Sequence, residues 1–156
     1  MSIRTCQRCD GRTKAGTQCK RRTCRTNLCF QHLKSMQGLQ LKKSNIPNAG
    51  LGLFATKPFR NNDKIAEYTG DVSAVPIQGD YVYKASNTTF IDAKRTNTAA
   101  GRFGNACRAV DRPHCSGNNA KIVYDRARHN AAVKATKTIR PNQEIYVSYG
   151  PAYFRA

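Results

Sequence analysis

The chain has 156 residues, which is enough for one well-buried domain and a small appendage but too few for two ordinary domains. Its 27 Lys and Arg against 9 Asp and Glu give a formal net charge of +18, far more than solubility requires, so a polyanionic partner is expected. The chain begins without the apolar run of a secretory signal, and nowhere do about 18 apolar residues follow one another. The composition therefore favours a soluble intracellular protein over a secreted or membrane-spanning one.

Residues 1–38 form a basic, cysteine-rich segment, called the head below. Cys9, Cys19 and Cys29 recur every ten residues, and His32 follows Cys29 with two residues between. Three thiolates and one imidazole make a closed tetrahedral zinc set. In a reducing compartment, seven cysteines favour metal ligation over a disulfide framework, and an odd number cannot all pair within one chain. Because the head has few large apolar residues, we expect zinc to be its core.

Two further cysteines leave the ligand set of the head open. Cys6 and Cys24 are surplus to the four ligands, and Cys6-x-x-Cys9 is also a ligand-like spacing. The segment is similar to small Cys-rich modules of the form Cys, Thr-Lys-x-Gly, Cys-Lys, Cys-x-x-His. The alternative is a disordered basic arm with idle thiols.

Turn signals begin after the head, so we place a domain boundary near Gly38, between residues 1–38 and 39–156. No long 3.6-residue periodicity follows, so helices are expected to be few and short. Short apolar runs separated by turns predict a mainly β domain of small sheets. The candidate strands are Leu39–Lys43, Leu51–Ala55, Lys64–Tyr68, Tyr81–Ala85, Phe90–Asp92, Ala120–Tyr124, Ala131–Ala135 and Glu144–Tyr149.

Six motifs occur in a fixed order between residues 49 and 150. Together they resemble the SET-domain family of protein lysine methyltransferases, in the compact form found in viral members, and the resemblance covers Leu39 to about Phe154. It implies the β-fold of that family with its knotted C-terminal segment, S-adenosylmethionine as methyl donor, and a lysine of a histone tail as acceptor. The motifs are Ala49-Gly50-Leu51-Gly52-Leu53-Phe54-Ala55, Glu67-Tyr68-Thr69-Gly70, Tyr81-Val82-Tyr83, Phe90-Ile91-Asp92-Ala93, Arg102-Phe103-Gly104-Asn105 and Glu144-Ile145-Tyr146-Val147-Ser148-Tyr149-Gly150.

The resemblance also implies roles for single residues. Tyr149 takes the position of the catalytic tyrosine, and Tyr68 that of a tyrosine lining the lysine channel. Tyr83 and Tyr146 are expected to pack in the core instead. The residues implied to contact the methyl donor are Gly50, Leu51, Gly52, Tyr81, Arg102, Phe103, Asn105, Ala106 and Tyr149.

The chain departs from the family pattern in several places. Ala106 stands where an Asn-His pair usually has histidine, and residues 108–117 lengthen the loop that follows. Cys107, His114 and Cys115 in this region form only a partial ligand set, so we interpret them as loop residues. The number of methyl groups added to the lysine is not predicted. In many relatives a Phe or Tyr two positions before the catalytic tyrosine governs that number, and here the position holds Val147. Close to the chain end, Tyr153 and Phe154 either close the lysine channel or pack on the surface.

The charge distribution suggests two surfaces. Five of the nine acids lie between residues 60 and 95: Asp63, Glu67, Asp71, Asp80 and Asp92. They predict an acidic cleft for a basic tail, and the alternative is that they merely solvate turns. The head is expected to bind nucleosomal DNA through Arg4, Arg8, Arg12, Lys14, Lys20, Arg21, Arg22 and Arg25.

These surfaces imply a cellular location. Such a protein would act in the nucleus or another chromatin-containing compartment, in the host cell or virion if it is viral. The alternative function is that of a catalytically weak DNA- or chromatin-binding module on a SET scaffold.

Overall fold

The structure is a computed structural model that describes residues 6–79, 81–94, 99–128 and 130–149. The predictions for Arg4, Asp80, Tyr153 and Phe154 lie outside the described residues. Within them the protein is mainly β, as the sequence predicts. The strands are β1 (Gln7–Arg8), β2 (Arg22–Thr23), β3 (Leu39–Lys43), β4 (Leu51–Ala55), β5 (Lys64–Tyr68), β6 (Asp71–Ser73), β7 (Val82–Ser86), β8 (Thr89–Asp92), β9 (Ala120–Asp125), β10 (Asn130–Ala135), β11 (Glu144–Ile145) and β12 (Val147–Ser148).

Helical structure in the described part is short, as expected. A single α-helical turn, α1 (Phe30–His32), continues into a π-helical turn over Leu33–Gln37, and 3₁₀ turns cover Ala100–Phe103 and Ala109–Asp111. The π-helical turn ends at Gly38, whose φ of 68° is left-handed and whose N–H bonds back to the carbonyl of Lys34. The predicted boundary thus coincides with a helix end.

The strands of the described ranges form four small sheets. In the head, β1 pairs with β2, and the other three sheets have the orders β12-β9-β10-β5, β11-β4-β3 and β6-β8-β7. The alternation of burial sets the register of the largest sheet: Ala131, Val133 and Ala135 of β10 are buried. All pairings are antiparallel except that of β12 with β9.

The C-terminal segment runs between two other parts of the chain. The N–H of Val147 bonds to the carbonyl of Asn105, whereas the carbonyl of Tyr146 accepts the N–H groups of Asn119 and Ala120. The loop that holds the fifth motif therefore lies on one side of this segment and the start of β9 on the other. This placement between two segments agrees with the knotted C-terminal segment that the resemblance implies, while the knot itself stays a prediction.

The head and the sheets share one apolar core. Leu28, Leu33 and the buried cysteines of the head belong to the same packed cluster as Leu53, Val133 and Tyr149. The head is therefore packed against the part of the chain that follows it and is not an independent unit joined by a flexible linker. The division into residues 1–38 and 39–156 stays a prediction.

Four of the seven cysteines correct the expectation that the cysteines favour metal ligation over disulfides. Cys6 pairs with Cys24, whose Cα atoms lie 4.1 Å apart, and Cys107 pairs with Cys115, at 6.0 Å. In both cases the fold brings the two backbones close enough for a disulfide. Cys9, Cys19 and Cys29 keep free thiols. None of the helices in the described ranges is long and apolar enough to cross a membrane.

Candidate active site and metal centre

Three tyrosine rings meet beside the end of β5. Tyr68 lies edge-on to both Tyr83 and Tyr149, with ring centroids 6.1 Å apart in each pair. Tyr68 is 1% exposed and Tyr149 is 7% exposed. Edge-to-face packing of this kind fixes both the rings and the direction of their hydroxyls. We call Tyr68, Tyr83 and Tyr149 the tyrosine cluster.

Each of the two predicted catalytic tyrosines donates to a backbone carbonyl. The hydroxyl of Tyr149 bonds to the carbonyl of Gly104 at 2.6 Å. The hydroxyl of Tyr68 bonds to the carbonyl of Tyr81 at 2.5 Å. Both carbonyls belong to segments that the motifs assign to the methyl donor, so the tyrosines and those segments are directly joined.

The first and fifth motifs also meet. The side-chain amide of Asn105 donates to the carbonyl of Leu51 at 3.0 Å. Next to Leu51, Gly50 has a φ of 71°, and a Cβ added there would find no atom within 4 Å. The backbone at Gly50 and Leu51 is thus open on one side and tied to Asn105 on the other.

Gly52 has a packing role that its motif did not reveal. A Cβ at Gly52 would lie 2.6 Å from a carboxylate oxygen of Glu144, which is 3% exposed. That carboxylate accepts hydrogen bonds from the Ser44 hydroxyl at 2.6 Å and the Asn45 N–H at 2.7 Å. Any side chain at Gly52 would displace this buried acid, and a role for Gly52 toward the methyl donor stays a prediction.

Arg102 is the most buried cation of the site, at 4% exposure. Its guanidinium lies over the rings of Tyr81 and Phe103, with its central carbon 5.0 and 4.2 Å from their centroids. Its Nη2 donates to the carbonyl of Arg25 at 3.3 Å, while Nε and Nη1 have no partner among the described residues. Burial lowers the pKa of Arg102. Ala106, the departure from the family pattern, is half-buried against the same core.

The four predicted metal ligands come together in the head. The Sγ atoms of Cys9, Cys19 and Cys29 and a ring nitrogen of His32 all lie within 4.8 Å of one another. The Nδ1 atom of His32 is 3.4 Å from Cys9 Sγ and 3.3 Å from Cys29 Sγ. Its Nε2 lies 3.0 Å from the carbonyl of Arg12, which orients the ring.

The thiols of this cluster differ in acidity. Burial raises the pKa of Cys9. Burial also opposes ionisation of Cys29, but hydrogen bonds to the backbone and ring of His32 outweigh it and lower the pKa of this thiol to about 7. The same contact with Cys29 raises the pKa of His32. Of these two thiols, Cys29 is therefore the better prepared to become a metal-binding thiolate.

Comparison with known proteins identifies the fold. The sequence model of the SET domain matches residues 50–150. The chain belongs to the SET-domain family. It is 31% identical over 114 residues to the histone-lysine N-methyltransferase ATX2 of Arabidopsis thaliana, a match that covers 64% of this chain and 10% of that protein. The chain thus spans about a tenth of that relative's length.

Two solved structures share the SET fold. The methyltransferase domain of human PR domain-containing protein 2 superposes with a TM-score of 0.52 at 22% identity, covering 72% of this chain and 76% of that one. ATXR5, in complex with a mono-methylated histone H3.1, superposes with a TM-score of 0.60 at 19% identity, covering 73% and 57%.

Two contacts of this SET domain were missed by sequence reasoning. The bond from Arg102 to the carbonyl of Arg25 joins the fifth motif to the head, and a backbone acceptor leaves no trace in the residue type. The Cys107–Cys115 disulfide closes the loop beside Asn105, where Cys107 N–H also bonds to the side chain of Asn118 at 2.8 Å. Two cysteines in one loop were a signal for that pair. As expected, Tyr146 is a core residue, packed with both of these cysteines.

Proposed function

We propose that this chain is a protein-lysine N-methyltransferase that uses S-adenosylmethionine and acts on a histone tail in chromatin. The observation that carries the proposal is the junction of Tyr149 with Gly104 and of Asn105 with Leu51 in a chain of the SET family. In this proposal Tyr149 and Tyr68 are the catalytic residues. The residues that bind the methyl donor are Gly50, Leu51, Gly52, Tyr81, Arg102, Phe103, Asn105, Ala106 and Tyr149.

Methyl transfer to lysine asks the protein mainly for alignment and exclusion of water. S-adenosylmethionine supplies an electrophilic methyl group on a sulfonium, which carries its own leaving group. A lysine amine has a reference pKa of roughly 10.4, so the site has to favour the neutral amine. The tyrosine cluster offers low-dielectric walls, and the backbone bonds of Tyr68 and Tyr149 hold its hydroxyls at fixed points.

The residues around Arg102 fit such a donor. Two buried guanidinium nitrogens lack an acceptor among the described residues, and an unpaired buried donor costs about 1–3 kcal/mol. A carboxylate or ribose hydroxyl is the kind of group that relieves this cost. The open backbone at Gly50 adds a surface that a ligand can approach closely.

The cluster of Cys9, Cys19, Cys29 and His32 fits zinc. With ordinary bond lengths, a tetrahedral site separates a thiolate sulfur from an imidazole nitrogen by roughly 3.6 Å. The sulfur–nitrogen distances of 3.4 and 3.3 Å match that edge. Three thiol sulfurs and one nitrogen are also the donor set that zinc prefers in closed structural sites.

A basic tail suits the substrate side because acids lie near Tyr81. Asp71 and Asp92 are direct cross-strand partners of β6 and β8, which places two carboxylates on one face, with the ammonium of Lys94 3.4 Å from the carboxylate of Asp92. Ala93, the residue after Asp92, donates its N–H to the carbonyl of Tyr81, which also accepts the Tyr68 hydroxyl. The acidic pair is therefore connected to the tyrosine cluster through the carbonyl of Tyr81.

One of the five acids follows the other interpretation. The carboxylate of Asp63 accepts the N–H of Arg60 at 2.8 Å and so caps a turn. Asp63 therefore takes the turn-solvating role that was the alternative for these acids in general, and it is left out of the proposed cleft.

Exposed cations of the head favour nucleosomal DNA as a second partner. They surround part of a groove of about 690 Å³ between the head and β3, whose cationic lining is Arg21, Arg22, Arg25 and Lys34. Phosphates are the natural counterions of such a surface. The same observation supports the alternative function, a chromatin-binding module with weak catalysis, and both functions place the protein in the nucleus or another chromatin-containing compartment.

One experiment separates these functions. The full chain is incubated with labelled S-adenosylmethionine and separated histones, nucleosomes or tRNA, with Tyr149→Phe in parallel. Label on histone lysines that falls in the variant supports the methyltransferase. Label on tRNA would make the substrate class wrong, and DNA binding without label on any substrate would favour the binding module.

A further inference from the structure

Arg102 lies where the head meets the methyl-donor site. Its side chain connects the fifth motif to the head by a hydrogen bond to the carbonyl of Arg25. Its other face packs on Tyr81 and Phe103. A side chain buried to this degree transmits the position of its partners, because packed interiors have little room to relax.

On the head side, a short turn connects the Arg25 carbonyl to the metal cluster. Arg25 follows Cys24, which is tied to Cys6, and it precedes Cys29 by four residues. Between them Thr26 is buried, accepts the Thr23 hydroxyl at its carbonyl (3.0 Å), and donates its own hydroxyl to the carbonyl of Leu28. Cys29 N–H bonds to Cys9 Sγ at 3.1 Å, so this turn is fastened directly to the predicted ligands.

On the side of the methyl-donor site, Arg102 contacts the rings of Tyr81 and Phe103, and both residues are connected to the predicted catalytic tyrosines. Tyr81 presents its carbonyl to the hydroxyl of Tyr68. Phe103 precedes Gly104, whose carbonyl accepts the hydroxyl of Tyr149. Arg102 therefore packs on the residue that carries one acceptor and on the residue that precedes the other.

We propose that Arg102 couples zinc binding in the head to binding of the methyl donor, as a positioning residue for both predicted catalytic tyrosines. This inference rests on the proposed function. The head then orders the donor site and does not only supply positive charge. Coupling between two sites is reciprocal, so a bound donor must also strengthen the hold of the head on its metal.

The test uses the full chain with S-adenosylhomocysteine as the probe, in zinc-loaded and chelator-treated protein. We expect chelation to weaken probe binding by on the order of tenfold in the wild type. Arg102→Met should bind the probe more weakly with zinc present and lose less than about twofold on chelation, because the link is already broken. Arg102→Lys, which keeps the charge on a single donor nitrogen, should fall between them. Arg140→Met, a change at an exposed arginine, should behave like the wild type.

A second measurement needs no methyl donor. The chain contains no Trp, so its near-ultraviolet circular dichroism reports chiefly on tyrosine packing. Chelation should change the tyrosine band clearly more in the wild type than in Arg102→Met, in which only the packing of the head on the shared core still joins the two regions. An equal response to chelation in both proteins would overturn the coupling. If the wild type binds no probe, the proposed function fails, and the tyrosine band still decides whether Arg102 links the two regions.

Discussion

The hydroxyl of Tyr149 reaches across 45 residues of sequence to the carbonyl of Gly104, 2.6 Å away. Gly104 can hold that position only as glycine, since a Cβ there would overlap the side chain of Val147. A hydrogen bond from the Tyr149 hydroxyl to the Gly104 carbonyl thus joins the last motif to the fifth motif. This bond makes Tyr149 the most informative position to change.

Tyr149→Phe should lower methyl transfer by an order of magnitude or more and leave the affinity for the methyl donor nearly unchanged. Loss of one oriented hydroxyl costs about 1.5–3 kcal/mol of transition-state alignment. Single-turnover rates with saturating donor measure the effect. Tyr146→Phe is the matched control, because Tyr146 is also 7% exposed but belongs to the smaller apolar cluster. Full activity of Tyr149→Phe would remove its hydroxyl from the mechanism.

Asn105→Ala should raise the Michaelis constant for S-adenosylmethionine by roughly fivefold to tenfold, since the bond that holds the Leu51 carbonyl is removed. The turnover number at saturating donor should change less. Asn119→Ala is a control of the same chemistry, because the Asn119 side chain bonds to backbone groups of Glu144 and Tyr146. It should lower thermal stability without a selective rise in the Michaelis constant. An unchanged constant in Asn105→Ala would show that this loop does not bind the donor.

Purified protein should contain one tightly bound zinc per chain, measured by elemental analysis. Cys19→Ser should lose the metal and destabilise the head, because zinc supplies much of the folding free energy of such a module. The double variant Cys6→Ser with Cys24→Ser should keep the metal, since these two cysteines pair with each other. Two zinc ions per chain would instead make Cys6 and Cys24 ligands, and a folded head without metal would contradict the zinc site.

Local patterns predicted much of this fold, and long-range contacts account for most of what they missed. The ten-residue recurrence of cysteines predicted a cluster that the structure brings together. Glu144–Tyr149 was predicted as one strand, but Tyr146 turns toward the smaller cluster and bridges to Asn105, which divides the strand in two. β6 was missed because it is short and its central Val72 is 68% exposed. Neither feature is visible without knowing which segments meet.

Asp71→Asn should raise the Michaelis constant for a basic histone-tail peptide by about twofold to fivefold, because an exposed ion pair contributes roughly 0.2–1 kcal/mol. The constant for the methyl donor should not change. Asp63→Asn is the control. Asp63 caps a turn just before β5 begins, whereas Tyr68 lies at the other end of that strand. If both substitutions had the same effect, net charge and not the acidic pair would attract the tail.

The DNA-binding role of the head is best tested by removing charge and not by deleting residues 1–38. Deletion would strip Leu28 and Leu33 from the shared core and remove the carbonyl to which Arg102 donates, so it would damage the whole domain. Lys14 and Lys20 are exposed cations of the head, and their conversion to Gln should leave the fold intact.

In this double variant of Lys14 and Lys20, activity on nucleosomes should fall at low salt, and the log-log salt slope should decrease by about 0.9 for each phosphate that the head no longer neutralises. Turnover of a free tail peptide should stay unchanged, because a peptide carries no phosphates. The matched control converts Lys121 and Lys137, two exposed cations outside the head, to Gln. It removes the same charge and should alter the slope less. If both pairs changed the slope equally, DNA would respond to overall charge, and a nucleosome rate unaffected by either pair would exclude Lys14 and Lys20 from DNA binding.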